Sequence, residues 1–483
     1  MQGDSRGTFV ELEGEQDTQG DGTAVRPSAS RRGSGPGWGA RRTWAVVLGL
    51  AVVGAAGMYA VVDERGRQSG LDRHADVPGV VDSLAEPPEE AWRVDLGAGG
   101  AATQLADLLV TSSNPRPPDR PAVAALDLAT GEERWRVEGP PEAWPGSCDA
   151  AVGPPGGSVL LCALWVTDET DAVGQPVVDW HLVDAASGEA SRVEGVDDDA
   201  PWFGVSVGQV GDDLLLVESD DATRTTHVTR YDVGSRESVW RTALSVEVGV
   251  GAATSLVTVG DLVVVRGAEA TVVLAADGRE LQFVERTPTS GPAPERLPFA
   301  TLPGHGVGIW TDSTTGVWVA PDGERTATLT GAPVELDVVG DAEPPVVVLV
   351  RDGALVGVDV GTGEERWERP ASGRARALLD GRLVLSERDR LVAVDVRTGE
   401  TLWETELQPT VEGATSPTLT DGVRIALTGQ GDGVATMSTF ELASGRQVWD
   451  ARLPDGSRLV QRQGRAVVAV IPSGGREDVV VLR

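Results

Sequence analysis

The residues able to do chemistry are few and scattered. The chain has two cysteines, Cys148 and Cys162, and four histidines, His74, His181, His227 and His305. No two histidines stand at the close spacing from which zinc sites are built, so each reads as a surface or hydrogen-bonded side chain. Acidic groups at Asp197, Asp198 and Asp199, and at Glu218, Asp220 and Asp221, offer the oxygen ligands that calcium takes. A run of like charge is more often a solvated face, and these are read so. Gly429-Gln430-Gly431-Asp432-Gly433 has the glycines of a phosphate loop, but the helix that must follow one is missing from the pattern. No nucleophile elbow, P-loop or haem-attachment motif occurs. The sequence therefore assigns no catalytic, cofactor-binding or metal residue. The cysteines lie 14 residues apart on runs that read as neighbouring antiparallel strands, and outside a reducing compartment they are expected to pair.

The elements that would position any site are repeats. Val394–Trp403 (VDVRTGETLW) returns as VDVGTGEERW at Val358–Trp367 and as LDLATGEERW at Leu126–Trp135. Looser copies stand at Tyr231–Trp240 and Phe440–Trp449, and eroded ones at Val183–Arg192 and around Asp277-Gly278 and Asp322-Gly323. Alternating apolar residues open each unit as a strand. An Asp that can bond to amides ahead of it and a Thr/Ser-Gly pair then make a turn, and a short strand ends in Trp. Two further apolar runs precede each unit, joined in one module by Asp380-Gly381, a hairpin signal.

The unit is thus four short antiparallel strands. Successive anchors Trp367, Trp403 and Trp449 are 36 and 46 residues apart, and Trp92 and Trp135 are 43 apart. Those intervals suit the blades of a β-propeller, about 40–50 residues each. A lone four-stranded sheet buries its faces poorly, so blades must stack in a ring. Trp92, Trp135, Trp240, Trp367, Trp403 and Trp449 are expected to fill the gaps between blades, with their indole N–H groups hydrogen-bonded. Outer strands end near Trp135, Arg192, Trp240, Phe283, Thr326, Trp367, Trp403 and Trp449. The strand at Trp92 has no blade before it and is expected to complete the last one, closing the ring and removing exposed edges. The count favours eight blades, within a range of seven to nine.

The pattern D-x-x-[TS]-G-E-x-x-W resembles the pyrroloquinoline-quinone-type (PQQ-like) propeller repeat, over roughly residues 91–483 and most strongly in Val346–Leu407. Quinoprotein alcohol and glucose dehydrogenases share that repeat with a non-enzymatic outer-membrane assembly lipoprotein. The resemblance implies an all-β PQQ-like propeller of four-stranded antiparallel blades. It does not imply an activity. In the quinone enzymes, adjacent cysteines form a disulfide above the cofactor, a Trp lies below it, Glu and Asn hold calcium, and an Asp is catalytic. This chain has no adjacent cysteine pair and a single Asn, Asn114, so that site does not carry over.

Ahead of the repeats, residues 1–42 balance six Arg against six acids and read as a disordered cytoplasmic tail. Thr43–Val62 is twenty uncharged, mostly apolar residues, long enough to span a bilayer. Trp44 and Tyr59 sit near its ends, Arg41 and Arg42 precede it, and Asp63 and Glu64 follow. The positive-inside rule then leaves the N-terminus cytoplasmic and the propeller extracytoplasmic. A long basic leader argues against a cleaved signal peptide, while Arg41-Arg42 also admits a twin-arginine reading. Residues 63–90, acidic and broken by Pro78, Pro87 and Pro88, read as an extracytoplasmic linker before the propeller at 91–483.

The whole net charge of −33 falls after residue 42, so nucleic acid and anionic headgroups are excluded as partners. Absence of Lys beside many Ala, Val, Gly and Arg residues points to a high-GC genome such as an actinobacterium's. The functional reading is a membrane-anchored, non-catalytic module that binds or scaffolds envelope proteins, without cofactor. Its contact surface is expected in Thr111–Pro121, Thr167–Val177 and Arg286–Leu297. The alternative is a quinone- or metal-dependent redox enzyme or small-ligand sensor with its site at the channel mouth. Glycan binding is a weaker third, for which exposed Trp residues would come from Trp144, Trp165, Trp180, Trp202, Trp310 and Trp318.

Overall fold

A computed structural model describes residues 68–483, apart from short stretches in connections, the longest at 194–204, 245–254, 287–297 and 408–416. The tail at 1–42 and the apolar segment Thr43–Val62 lie outside the described residues. Among the described residues no helix is long and apolar enough to cross a membrane.

Among the described residues, strands within 90–482 form nine sheets whose pairing is antiparallel except where Val338–Val339 joins the edge of one. Eight follow in chain order, within 101–138, 144–192, 205–244, 255–285, 299–330, 332–370, 374–406 and 419–452, and are numbered here as blades 1 to 8. The ninth takes Leu459–Gln463, Ala466–Ser473 and Arg476–Leu482 from the C-terminus and Glu90–Asp95 from the far end of the propeller. Trp92's strand therefore closes the ring as expected, and the preferred count of eight is corrected to nine. The C-terminal strands are a separate blade that lacks its outer strand, not the remainder of blade 8. Counting the eight outer-strand anchors without the Trp92 strand loses it.

Each neighbouring pair of blades shares a buried apolar cluster, and so the ring is continuous. Leu105, Val123 and Trp135 of blade 1 pack with Leu160 and Val183 of blade 2. At the closure, Leu109 and Leu128 of blade 1 pack with Val468 and Val481 of blade 9. Burial on both faces explains the middle strands. Ala122–Asp127 and Leu262–Arg266 are buried at every position, because another blade covers each side of the sheet. Outer strands such as Glu133–Glu138 bury alternate residues and expose Glu and Arg, which blunts the free edge.

Strand direction alternates within a blade. Connections from first to second and third to fourth strand therefore lie on one face of the ring, here the turn face. Connections from second to third strand, and from one blade to the next, lie on the opposite face. The three proposed contact loops, Thr111–Pro121, Thr167–Val177 and Arg286–Leu297, all belong to that opposite face. Their central parts lie outside the described residues.

Candidate functional site

The repeated turn is a device for joining blades. In blade 1, Asp127 Oδ1 accepts from the amides of Ala129 and Thr130, each at 2.9 Å, and from the Thr130 hydroxyl. Gly131 N–H closes the turn on Asp127 O at 2.8 Å, with φ of 74°. Asp359 repeats the arrangement with Gly361, Thr362 and Gly363. The other carboxylate oxygen of each Asp meets an arginine, Arg134 or Arg366. That arginine sits at a bulge, which recurs beside the turn in blades 1, 3, 4, 5, 6, 7 and 8, and in blades 1 and 6 the extra residue turns back to the Asp. The arginine and amide hydrogen bonds hold Asp127 ionised down to a pKa of about 2.

The six anchor tryptophans reach across the joints. Trp92 donates to Leu128 O, Trp135 to Ala185 O, Trp240 to Ala276 O, Trp367 to Val396 O and Trp403 to Leu442 O. Each acceptor lies in the turn of the next blade. The glycine of that turn lies under the indole: a Cβ at Gly131 would stand 2.8 Å from Trp92, and one at Gly399 2.8 Å from Trp367. Glycine is thus required twice, for positive φ and for space. Where the Trp is lost the joint survives in other residues. Gln282 donates to Gly323 O at 2.9 Å and Thr326 to Val360 O at 2.7 Å.

Trp449 departs from the series. Blade 9 has no such turn, because its third and fourth strands come from opposite ends of the propeller. Trp449 donates instead to Leu84 O at 3.0 Å. Leu84 is buried, and its amide donates to Asp421 Oδ2 at 2.9 Å. Val81 N–H donates to Thr420 O and Asp82 N–H to Arg465 O. Val80 bridges in parallel to Thr420, the inner strand of blade 8, much as Val338–Val339 pairs in parallel with the inner strand of blade 7. Residues 68–89 therefore form a strap over the turn face of blades 7 to 9. These residues fall within the stretch 63–90 expected as a linker, and its described part lies against the ring. Val80, Val81 and Leu84 are short apolar residues in a Pro- and acid-rich stretch, and their partners are over 300 residues away.

The strap opens with a helical turn at residues 68–74, and His74 at its end is 2% exposed. His74 Nε2 stands 3.3 Å from Asp380 Oδ1, and Nδ1 stands 2.9 Å from Gly70 O. Asp380 and Gly381 form the expected tight hairpin turn, both at positive φ. Asp380 also lines a cavity of about 260 Å³ with Glu343, Pro344, Gly381, Arg382, Asp395, Arg397 and Leu402. Leu402 occupies the bulge position that Arg134 and Arg366 hold elsewhere, which leaves this turn open beside it.

Cys148 and Cys162 are bonded, face each other on adjacent strands of blade 2, and are buried. Glu218 is buried and ion-paired with Arg241, while Asp197, Asp198, Asp199 and Asp221 lie outside the described residues. His305 accepts a hydrogen bond at its carbonyl from Trp318. Trp180, Trp310 and Trp318 are buried in the apolar clusters between blades, so none is an exposed glycan platform. Trp202 lies outside the described residues, as do the side chains of Trp144 and Trp165. Sequence reasoning missed the strap, Leu84, the Asp380 partner of His74, and the Gln282 and Thr326 joints. A lone apolar residue or His carries no periodic signal.

Residues 351–483 match the family model described as outer membrane protein assembly factor BamB. The fold is a β-propeller, and its repeats over residues 351–483 are similar to the PQQ-like repeat of that family. No curated protein sequence matches the chain. Among solved structures, BamB from Moraxella catarrhalis shares 16% identity over 82% of this chain and 100% of its own, with a TM-score of 0.44. A europium-containing methanol dehydrogenase shares 11% over 82% and 93%, with a TM-score of 0.39. A eukaryotic initiation factor shares 11% over 78% and 90%, with a TM-score of 0.47. The adjacent-cysteine disulfide that quinone enzymes place above their cofactor has no counterpart in the Cys148–Cys162 bond. That bond staples two strands inside blade 2, with both sulfurs in the apolar core between blades 1 and 2.

Proposed function

We propose that this chain is a membrane-anchored, extracytoplasmic propeller that binds or scaffolds other envelope proteins and is not an enzyme. The observation that carries the reading is the strap. It and Val338–Val339 pair with the inner edges of blades 7 and 8, at the channel where propeller enzymes place their sites. The disulfide supports an oxidising compartment. Thr43–Val62 with its flanking charges supports a single span with a cytoplasmic N-terminus. The match to an outer-membrane assembly factor supports protein partners in the envelope. Calorimetric titration of the purified full chain with pyrroloquinoline quinone and calcium tests the non-enzymatic part. The expectation is no heat of binding and no change in melting. Saturable heat with a raised melting temperature would replace this reading with a small-molecule one.

A further inference from the structure

We propose that the start of the strap is a pH-sensitive latch: His74, seated between Asp380 and Gly70, holds residues 68–74 on the turn face when doubly protonated and releases them when neutral. The geometry carries the argument. Both ring nitrogens face atoms that only accept, a carboxylate oxygen at 3.3 Å and a backbone carbonyl at 2.9 Å. A neutral imidazole has one N–H and can serve only one of them, leaving a lone pair against an oxygen in a buried place. Imidazolium serves both. The Asp380 carboxylate, and then the Gly70 carbonyl, outweigh burial and raise His74 above its ordinary value near 6.5.

The surroundings leave His74 as the titrating group. From its own helical turn come Asp72 and Arg73, and from the blade 7 hairpin Asp380 and Arg382. Blade 8 presents Gly422 against the ring, next to Asp421, Arg465 of blade 9 donates to Ala75 O, and Gly340 lies beside the ring in the segment that carries Asp337 and Glu343. Carboxylates and guanidiniums ordinarily titrate outside the range from about pH 5.5 to 8.5. The sign follows from the raised value: docking is complete below about pH 6.5 and is lost as pH rises through the folded-state value. Release is local, because Val80, Val81 and Leu84 stay buried between blades 7, 8 and 9. What changes is whether residues 68–74 are held on the ring, and the access to Asp380 at the rim of the 260 Å³ cavity.

Hydrogen exchange on the full chain, corrected for intrinsic rates, tests the latch. Amides of residues 68–75 should lose protection by up to about tenfold per pH unit between the ordinary His74 value near 6.5 and its raised value in the docked state, the limit for one linked proton, and level off above it. Amides pairing Glu90–Asp95 with Arg476–Leu482 should not change. In His74→Gln and Asp380→Asn the step should vanish. Should the glutamine variant misfold, NMR titration of His74 in the unmodified chain decides: its midpoint should lie above 6.5 and coincide with the exchange step. Flat protection in the unmodified chain, a step retained by His74→Gln, or a His74 midpoint below 6.5 would overturn the latch.

Discussion

The indole of Trp449 donates to the carbonyl of Leu84, 3.0 Å away in space and 365 residues away in the chain. Every other anchor Trp finds its acceptor in the turn of the following blade. At the ring closure that turn does not exist, and the strap supplies the carbonyl in its place. The joint thus survives the one break that a closed ring made from an open chain must contain.

Trp449→Phe should cost about 1 kcal/mol, the net worth of one hydrogen bond, and Trp449→Ala about 3 kcal/mol as packing is lost too. Trp135→Phe should cost the same as Trp449→Phe if the strap is an equivalent joint. Urea unfolding of the three variants checks this. A neutral Trp449→Phe beside a costly Trp135→Phe would mean that Leu84 is not a working acceptor.

Gly399 and Gly353 both have positive φ, but only Gly399 lies against an indole, while a Cβ at Gly353 meets open space. Gly353→Ala should therefore lose about 1 kcal/mol from backbone strain, and Gly399→Ala at least about 2 kcal/mol, both read from urea unfolding. Equal losses would show that the glycines serve the turn alone.

These joints were the legible part of the molecule. Asp127, Thr130, Gly131 and Trp135 stand within a few residues of one another in the chain, so they repeat as a readable motif although Trp135 acts on the next blade. The middle strands were less so. The run Leu262–Val265 reads as one continuous apolar stretch because neighbouring blades bury both of its faces, and alternation survives mainly in outer strands. Blade 9 was hard to count because its outer strand stands at Trp92. Nothing near His74 or Leu84 signals Asp380 or Trp449, since those contacts exist only once the ring closes.

Reduction of the buried Cys148–Cys162 bond should destabilise the propeller by about 3 kcal/mol, the chain-entropy value for a loop of this length. The double variant Cys148→Ala, Cys162→Ala, followed by thermal unfolding, checks this. If it melts with the unmodified protein, the staple contributes nothing to the ring.

Acid should loosen the joints. The Asp127 carboxyl is depressed to about 2 by Arg134 and Thr130, and that of Asp184 is lowered by the Ser187 hydroxyl and amide. Burial raises Asp359, but Arg366 and Thr362 outweigh it. For depressed carboxylates the stabilisation is present above the unfolded value near 3.8 and is lost as pH falls toward the folded value. Melting temperature should therefore drop between about pH 4 and pH 2, less steeply in Asp127→Asn. An unchanged slope in that variant would remove the turn aspartates as the cause.

The most direct test of the functional account is crosslinking of the full chain in its native membrane. It is compared with a chain whose connections 114–119, 171–175 and 287–297 are replaced by short Gly-Ser links. The account predicts a consistent set of envelope proteins joined to the unmodified chain and lost from the variant, while the variant keeps the same melting temperature. An identical set from both chains, or nothing above background from either, would contradict it.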